Sequence, residues 1–416
     1  MSTTARVPRH APSPAREAPG GRMRVSHTSG FWAVAAAFTS LMAFGTVPTP
    51  LWPLYQDRDH FGATTVTVAF AVMVVGAAGG FLALGHLSDR LGRRRVIVPA
   101  LLVGIVSAVV LAAWPALPGL IAGRLLTGVA VGLMASTATA YISDLYHQAR
   151  PERAGSPVPG LVATAANLGG LALGPLVAGV LAEWAPAPLT TSYILFAALM
   201  AVLLGLVLVT PETVDTELKA QDRPGRFALL PGRRTAFGGA AGVGFFAFAV
   251  MGLFSSLGAI IVRGQLGITS QFVIGLAPFT VFAASAVAQL ALGRLPLHRL
   301  LITGTLLFPA GLALTALSLY HPALWLFLVA AALAGAGAGL LFKGAITQSA
   351  LSAVPASRAG VLATFFVIAY LGMGLPSIAF SLVIQHAAVE PTMIGFAVAL
   401  SLGAVAAVVT AVRAAR

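Results

Sequence analysis

The chain has 416 residues, 58% of them apolar and 9% charged, with a mean hydropathy of +0.92. A water-soluble domain carries about 25% charged residues, so most of this surface does not face water, and the net charge of +13 does not mark a nucleic-acid-binding domain, because the basic residues fall in short clusters between apolar runs rather than on one face. The absence of cysteine removes disulfides, thiolate metal sites and cysteine nucleophiles, and the histidines never reach the close spacing of a structural zinc site; neither cofactor nor metal is expected.

Residues 1–29, rich in Pro, Ser and Arg, read as a disordered cytoplasmic tail. They are not read as a cleaved leader, since the first apolar run begins near Phe31 and is followed by many more. Crossing the hydrocarbon of a bilayer takes about 20 mainly apolar residues. Such runs occur at 31–53, 64–86, 96–115, 119–142, 158–182 and 190–210, and again at 237–261, 271–292, 300–320, 322–347, 359–384 and 391–412. The polar stretch 211–236 separates six spans from six. The expected fold is an all-α membrane protein of twelve transmembrane helices in two pseudo-symmetric six-helix bundles, residues 30–210 and 237–412. A cytoplasmic linker, 211–236, joins the bundles, and a short cytoplasmic tail, 413–416, ends the chain.

Orientation follows from the basic residues, which are enriched on the cytoplasmic side of membrane proteins. With the amino terminus inside, 21 of the 25 Lys and Arg residues fall in inner segments. Only Arg58 and Arg263 lie outside, while Arg124 and Lys343 are embedded in spans. The bias holds only for an even number of spans, which favours twelve with both termini in the cytoplasm of a bacterial-type inner membrane. Small residues such as Gly76, Gly79, Gly80, Gly128, Gly132, Gly335, Gly337 and Gly339 allow membrane helices to approach closely. Prolines within spans, among them Pro48, Pro50, Pro175, Pro278, Pro309 and Pro376, each remove a backbone donor and favour a bend.

Between spans 2 and 3 the sequence reads GHLSDRLGRRRV over residues 85–96. Gly85 and Gly92 permit close packing and a tight turn, and Asp89 stands among Arg90, Arg93, Arg94 and Arg95 as the sole acid of a dense basic cluster. Such a group can hold helices together in one conformation and release them in another. The segment resembles the loop signature of the major facilitator superfamily, with Gly85, Asp89, Arg90, Gly92, Arg93 and Arg94 matching. Arg124, Gly128 and Gly132 resemble that family's Arg-x-x-x-Gly pattern in helix 4. Asp144, at the cytoplasmic end of that helix, stands where relatives pair an acid with the loop's arginines. Arg153 in RPERAG matches the basic loop before helix 5, and Pro211, Glu212 and Thr213 resemble the ending after helix 6. The resemblance implies two six-helix bundles rocking about a central cavity, with Gly85, Asp89, Arg90, Gly92, Arg93, Arg94, Asp144 and Arg153 as the conformational gate. The second half is more degenerate: Gly293 matches Gly85, but Leu297 stands where the acid would fall.

Within span 5, GGLALGPLVAG at 169–179 resembles the glycine-proline signature of proton-linked exporters, with Gly170, Gly174, Pro175 and Gly179 matching. The branch resembled is therefore that of bacterial drug exporters. Ionisable groups in hydrocarbon are costly and usually functional, yet none of the twelve acids falls deep in a predicted span. Arg124 is the candidate for coupling or helix-to-helix hydrogen bonding, and Lys343 reads as snorkelling to the inner interface. Thr46, Tyr55, Asn167, Gln289 and Gln348, with Thr39, Ser40 and Thr49, are the polar candidates for a central cavity. The expected function is secondary transport of a small molecule by alternating access in contact with membrane lipid. The cargo reads as an exported apolar or drug-like compound and the protein as a monomer, with proton coupling an open question. The alternatives are import or uniport of a metabolite such as a sugar or organic acid, and a non-transporting membrane sensor. Neither the clustered polar residues of an enzyme nor a nucleotide-binding loop is visible.

Overall fold

The computed structural model describes residues 25–84, 91–214 and 227–414. Gly85, Asp89 and Arg90 of the signature loop lie outside the described residues, as do most of the amino-terminal tail and the middle of the linker. A bilayer offers no partners to backbone N–H and C=O groups, so a spanning chain must satisfy them within the helix. The twelve apolar runs accordingly form twelve helices long and apolar enough to cross a membrane.

Span 1 runs His27–Thr46 and, after a break, continues as Trp52–Asp59. Span 2 is Ala63–Leu84, span 3 Arg93–Ala113, span 4 Leu117–Ala149, span 5 Val158–Trp184 and span 6 Pro188–Val209. In the second half, span 7 runs Arg234–Ser256 with an extension at Gly258–Leu266, and span 8 is Gln271–Leu292. Spans 9 to 12 follow at Leu297–Tyr320, Leu324–Ser352, Arg358–Val383 and Val389–Arg413. Among the described residues β-pairing is limited to one isolated bridge, Leu229 with Ala353, which ties the end of the linker to the turn before span 11.

Two elements depart from the simple runs in the sequence. The apolar stretch 31–53 reads as one helix, but Pro48, Pro50 and Pro53 withdraw three donors in six residues, and a 3-10 turn at Thr49–Leu51 replaces the α-helix there. Span 4 continues seven residues past its apolar run, through Ser143–Ala149, because a helix needs no apolar surface once it has left the hydrocarbon. Both features recur in the second half: span 7 also breaks and continues as a short helix, and span 10 also overshoots its predicted end. The two halves thus share their irregularities as well as their span count, which is what pseudo-symmetry demands.

An even number of antiparallel spans puts both termini at one end of the molecule, called here the terminal end; the opposite one is the far end. Close packing inside each bundle relies on glycine. A Cβ on Gly128 of span 4 would come within 2.0 Å of the Met73 carbonyl oxygen on span 2, and one on Gly76 would come within 2.4 Å of the Leu125 carbonyl. Spans 3, 6, 9 and 12 turn large apolar side chains outward, including Val106, Val202, Leu306 and Leu402. Trp114, Trp184, Tyr320 and Trp325 are exposed at the far ends of their helices, the level at which amphipathic rings settle between lipid and water. The bundles meet along spans 2 and 11 and along spans 5 and 8.

Candidate functional site

At the terminal end the basic cluster is organised by a residue of the PET segment. Gly92, with φ of 103°, turns the chain into span 3. The Glu212 carboxylate then accepts the first backbone N–H groups of that helix, from Arg93 at 2.8 Å and Arg94 at 3.1 Å. An anion suits this position because the free N–H groups and helix dipole make a helix start electropositive. The Arg93 guanidinium meets the Asp144 carboxylate of span 4 at 3.2 Å, and Asp144 also accepts from the Thr213 hydroxyl at 3.3 Å. Arg94 donates to the carbonyls of Leu208 and Thr210, and the Tyr141 hydroxyl donates to that of Pro211. Of the expected gate, Gly92, Arg93, Arg94 and Asp144 of the first bundle therefore come together with Glu212 at the start of the linker. Arg153 is exposed in the turn before span 5 and has no ion pair among the described residues.

Toward the far end of the same bundle, Arg124 is only 1% exposed. Its guanidinium donates to the Gly45 carbonyl at 3.0 Å and approaches the Met73 sulfur at 2.8 Å, and its Nε has no partner. The rings of Trp52 and Phe70 lie 5.9 Å away on the cation, close enough for cation–π attraction. No carboxylate pairs with it among the described residues. Tyr55 packs on Trp52 and shares a 2.9 Å hydrogen bond with the Tyr193 hydroxyl of span 6. Arg124 and Tyr55 thus belong to one buried cluster, assembled around a tryptophan that sequence reasoning did not single out.

The span 5 motif divides its work between two neighbours. Gly170 and Gly174 face span 1, where added Cβ atoms would meet the Thr39 carbonyl at 2.6 Å and the Ala43 carbonyl at 2.1 Å. Thr46 donates across the same contact to the Leu171 carbonyl at 2.9 Å. Pro175 and Gly179 face the other bundle: the Pro175 carbonyl lies 2.6 Å from the position of a Cβ on Gly275, and Gly179 packs on the backbone of Gln271. Asn167, two turns earlier, is half-buried. Gln289 and Gln348 are buried on spans 8 and 10, Gln289 with its Nε2 unpartnered. Lys343 is half-buried near the terminal end of span 10.

Among the described residues, the hydrogen bonds that cross between the bundles lie toward the far end. Arg263 on the span 7 extension pairs with Asp57 on the span 1 extension at 2.7 Å and donates to the Pro53 carbonyl. The Trp52 indole donates to the Ser255 carbonyl at 3.2 Å. Glu183, ending span 5, accepts from the Gln271 N–H at 2.6 Å and the Phe272 N–H at 3.3 Å, capping span 8 of the opposite bundle. Thr67 bonds to Ser381 at 2.8 Å and Gln385 to Thr64 at 2.5 Å, joining spans 2 and 11. A cleft of about 590 Å³ opens beside the Asp57–Arg263 pair, lined by Gln56, Asp57, His60, Ile260, Arg263 and Gly264. None of the polar candidates for a central pathway lines it. In the sequence these far-end acids were only loop residues, since a cap offered by one bundle to another leaves no local pattern.

Two six-helix bundles meeting along two helix pairs, with polar contacts between them gathered at one end, define a twelve-span membrane protein built of two pseudo-symmetric halves. The chain belongs to the Major Facilitator Superfamily, whose family profile matches residues 30–370. It is similar to the glucose transporter GlcP of Staphylococcus epidermidis, 41% identical over 101 residues that make up 24% of this chain and 22% of that one. That match spans about a fifth of the relative's length. A longer similarity joins it to the multidrug transporter MdfA of Edwardsiella piscicida, 29% identical over 315 residues, covering 70% of this chain and 74% of MdfA. Among solved structures it resembles the nucleoside transporter NupG in its D323A mutant, with a TM-score of 0.70, 13% identity, and coverage of 91% of this chain and 99% of the other. At that identity the likeness is one of fold alone.

Proposed function

We propose that this chain exports a small, largely apolar compound across a bacterial inner membrane by alternating access, as a monomer with its terminal end in the cytoplasm. The rocking units are residues 30–210 and 237–412, with 211–236 as the cytoplasmic linker. The observation that carries the export reading is the position of the exporter-like motif. Gly170 and Gly174 let span 5 lie against span 1, while Pro175 and Gly179 meet span 8, so the motif occupies the contact across which the bundles must move. Similarity over most of the chain to a protein named a multidrug transporter supports a drug-like cargo. A cargo without positive charge also suits spans whose described interiors hold no carboxylate, since a cationic solute would enter them without a counter-charge.

Efflux from a drug-sensitive host, followed by flux in proteoliposomes, tests this reading. Expression should lower the accumulation of at least one hydrophobic compound; uptake of a nutrient with no export of any such compound would sink it. Imposing or collapsing a proton gradient decides the coupling: an export rate that follows the gradient makes the chain a proton antiporter, and an unchanged rate makes it a uniporter. Import of a metabolite is the second reading, favoured by the 101-residue similarity to a glucose transporter, and the same flux measurement separates the two.

A further inference from the structure

Five aromatic rings from four helices close a circuit where the two bundles touch. Phe81 of span 2 lies flat against Phe366 of span 11, with centroids 4.9 Å apart and planes 3° from parallel. Phe366 meets Phe342 of span 10 at 6.0 Å, and Phe342 meets Phe248 of span 7 at 4.9 Å. Phe248 reaches Tyr370 of span 11 at 5.4 Å, and Tyr370 returns to Phe81 at 5.4 Å. The circuit lies toward the terminal end, away from the hydrogen bonds that join the bundles at the far end.

Three features distinguish this group from permanent core. Phe81 belongs to one bundle and the other four rings to the second, so a fixed core here would weld together units that must separate in alternating access. Phe366 is half-buried, and Phe248, Phe342 and Tyr370 keep 9%, 8% and 8% of their surface, while Phe81 keeps 2% and the neighbouring Phe365 is fully enclosed. The Tyr370 hydroxyl has no hydrogen-bond partner among the described residues. That oxygen is not sealed inside the packing, and it differs from the hydroxyls of Tyr55, Tyr141, Tyr146 and Tyr193, which are already bonded. The ring stack is thus complete apart from one polar group that awaits a partner, and no Arg or Lys among the described residues lies over any of these five rings.

We propose that this circuit is the cargo site and that its ligand is an uncharged planar aromatic molecule bearing one hydrogen-bonding group, a refinement that rests on the transport reading above. The ligand's ring replaces the Phe81–Phe366 contact by two ring-to-ligand contacts, one on each bundle, and its polar group bonds the Tyr370 hydroxyl. The empty site then closes on itself by restoring the stack. A charged ligand is refused because its lost hydration meets no opposite charge there.

Binding to the full chain in lipid nanodiscs tests this, with 2-naphthol as the probe, 2-decalol as its saturated counterpart and naphthalene as the ring without the hydroxyl. The intact chain should bind 2-naphthol roughly tenfold more tightly than 2-decalol, given the strength of two aromatic contacts. Phe81→Leu should weaken 2-naphthol about three- to tenfold and leave 2-decalol unchanged, and Tyr370→Phe should remove the preference for 2-naphthol over naphthalene. No binding of 2-naphthol, or equal binding of 2-decalol by the intact chain, overturns the proposal without requiring any variant to fold. Inward transport of 2-naphthol would defeat the export reading and leave this site standing. Export of an aliphatic compound with no aromatic binding would do the reverse.

Discussion

At the scale of single residues, buried charge sets the terms. Arg124 is enclosed with one unpartnered nitrogen and no carboxylate among the described residues, so it contributes desolvation cost without the ion pair that usually offsets it. Arg124→Met keeps most of the side-chain volume and removes that cost. The purified variant should melt at or above the temperature of the native chain while transport falls at least about tenfold, the loss of ~1.4 kcal/mol or more of functional interaction. A melting temperature several degrees lower would show that the charge is a structural support instead. Glu212 presents the opposite case, a carboxylate at a position suited to it. Glu212→Ala leaves the N–H groups of Arg93 and Arg94 uncapped and should destabilise the first bundle by about 1–2 kcal/mol. Thermal melting beside the exposed control Glu152→Ala measures the difference, and equal melting of the two variants contradicts the cap. The arginine cluster was legible in the sequence, and so was the PET ending. Their meeting through one carboxylate was not, because 118 and 119 positions separate the partners.

At the scale of helices, contact distance rather than propensity decides what the glycines do. Gly174 of span 5 lies so close to span 1 that an added Cβ would stand 2.1 Å from the Ala43 carbonyl and 2.3 Å from the Thr46 hydroxyl. Gly169, five residues earlier on the same helix, would meet nothing within 4 Å. Gly174→Ala must therefore push the two helices apart and should lower both the yield of folded protein and its melting temperature. Gly169→Ala should be neutral or stabilising by up to about 1 kcal/mol, the ordinary helix preference for alanine. Equal behaviour of the two variants would contradict the tight span 1–span 5 contact. Composition alone shows that the spans are rich in glycine. Which glycine touches a backbone and which faces open space follows from helix rotation, which a uniformly apolar run leaves undetermined, since every side of such a helix is equally suited to lipid or to a neighbour.

At the scale of the whole molecule, the far end is where one bundle holds the other. The Asp57–Arg263 pair is partly exposed, so its strength is modest and falls with added salt, about 0.2–1 kcal/mol for such pairs. That suffices to shift a two-state balance by a factor of roughly one and a half to five. Arg263→Gln should open the far end more often, and the charge-swapped pair Asp57→Arg with Arg263→Asp should restore the native balance. The absence of native cysteine lets a single cysteine introduced at Gly264, in the adjoining cleft, report opening by its labelling rate with a membrane-impermeant maleimide. Labelling that ignores both changes would remove the pair from the gate. The membrane class, the twelve spans and the division into two sets of six are legible in the residues alone, because apolar length and charge clustering are local quantities that the bilayer reads directly. It took the packed fold to reveal that Glu183 caps a helix of the opposite bundle, that Arg124 is sealed among Trp52, Phe70 and Gly45, and that five rings from four helices meet at the seam. Those contacts depend on helix rotation and on approach between distant segments, which periodic apolar sequence does not encode.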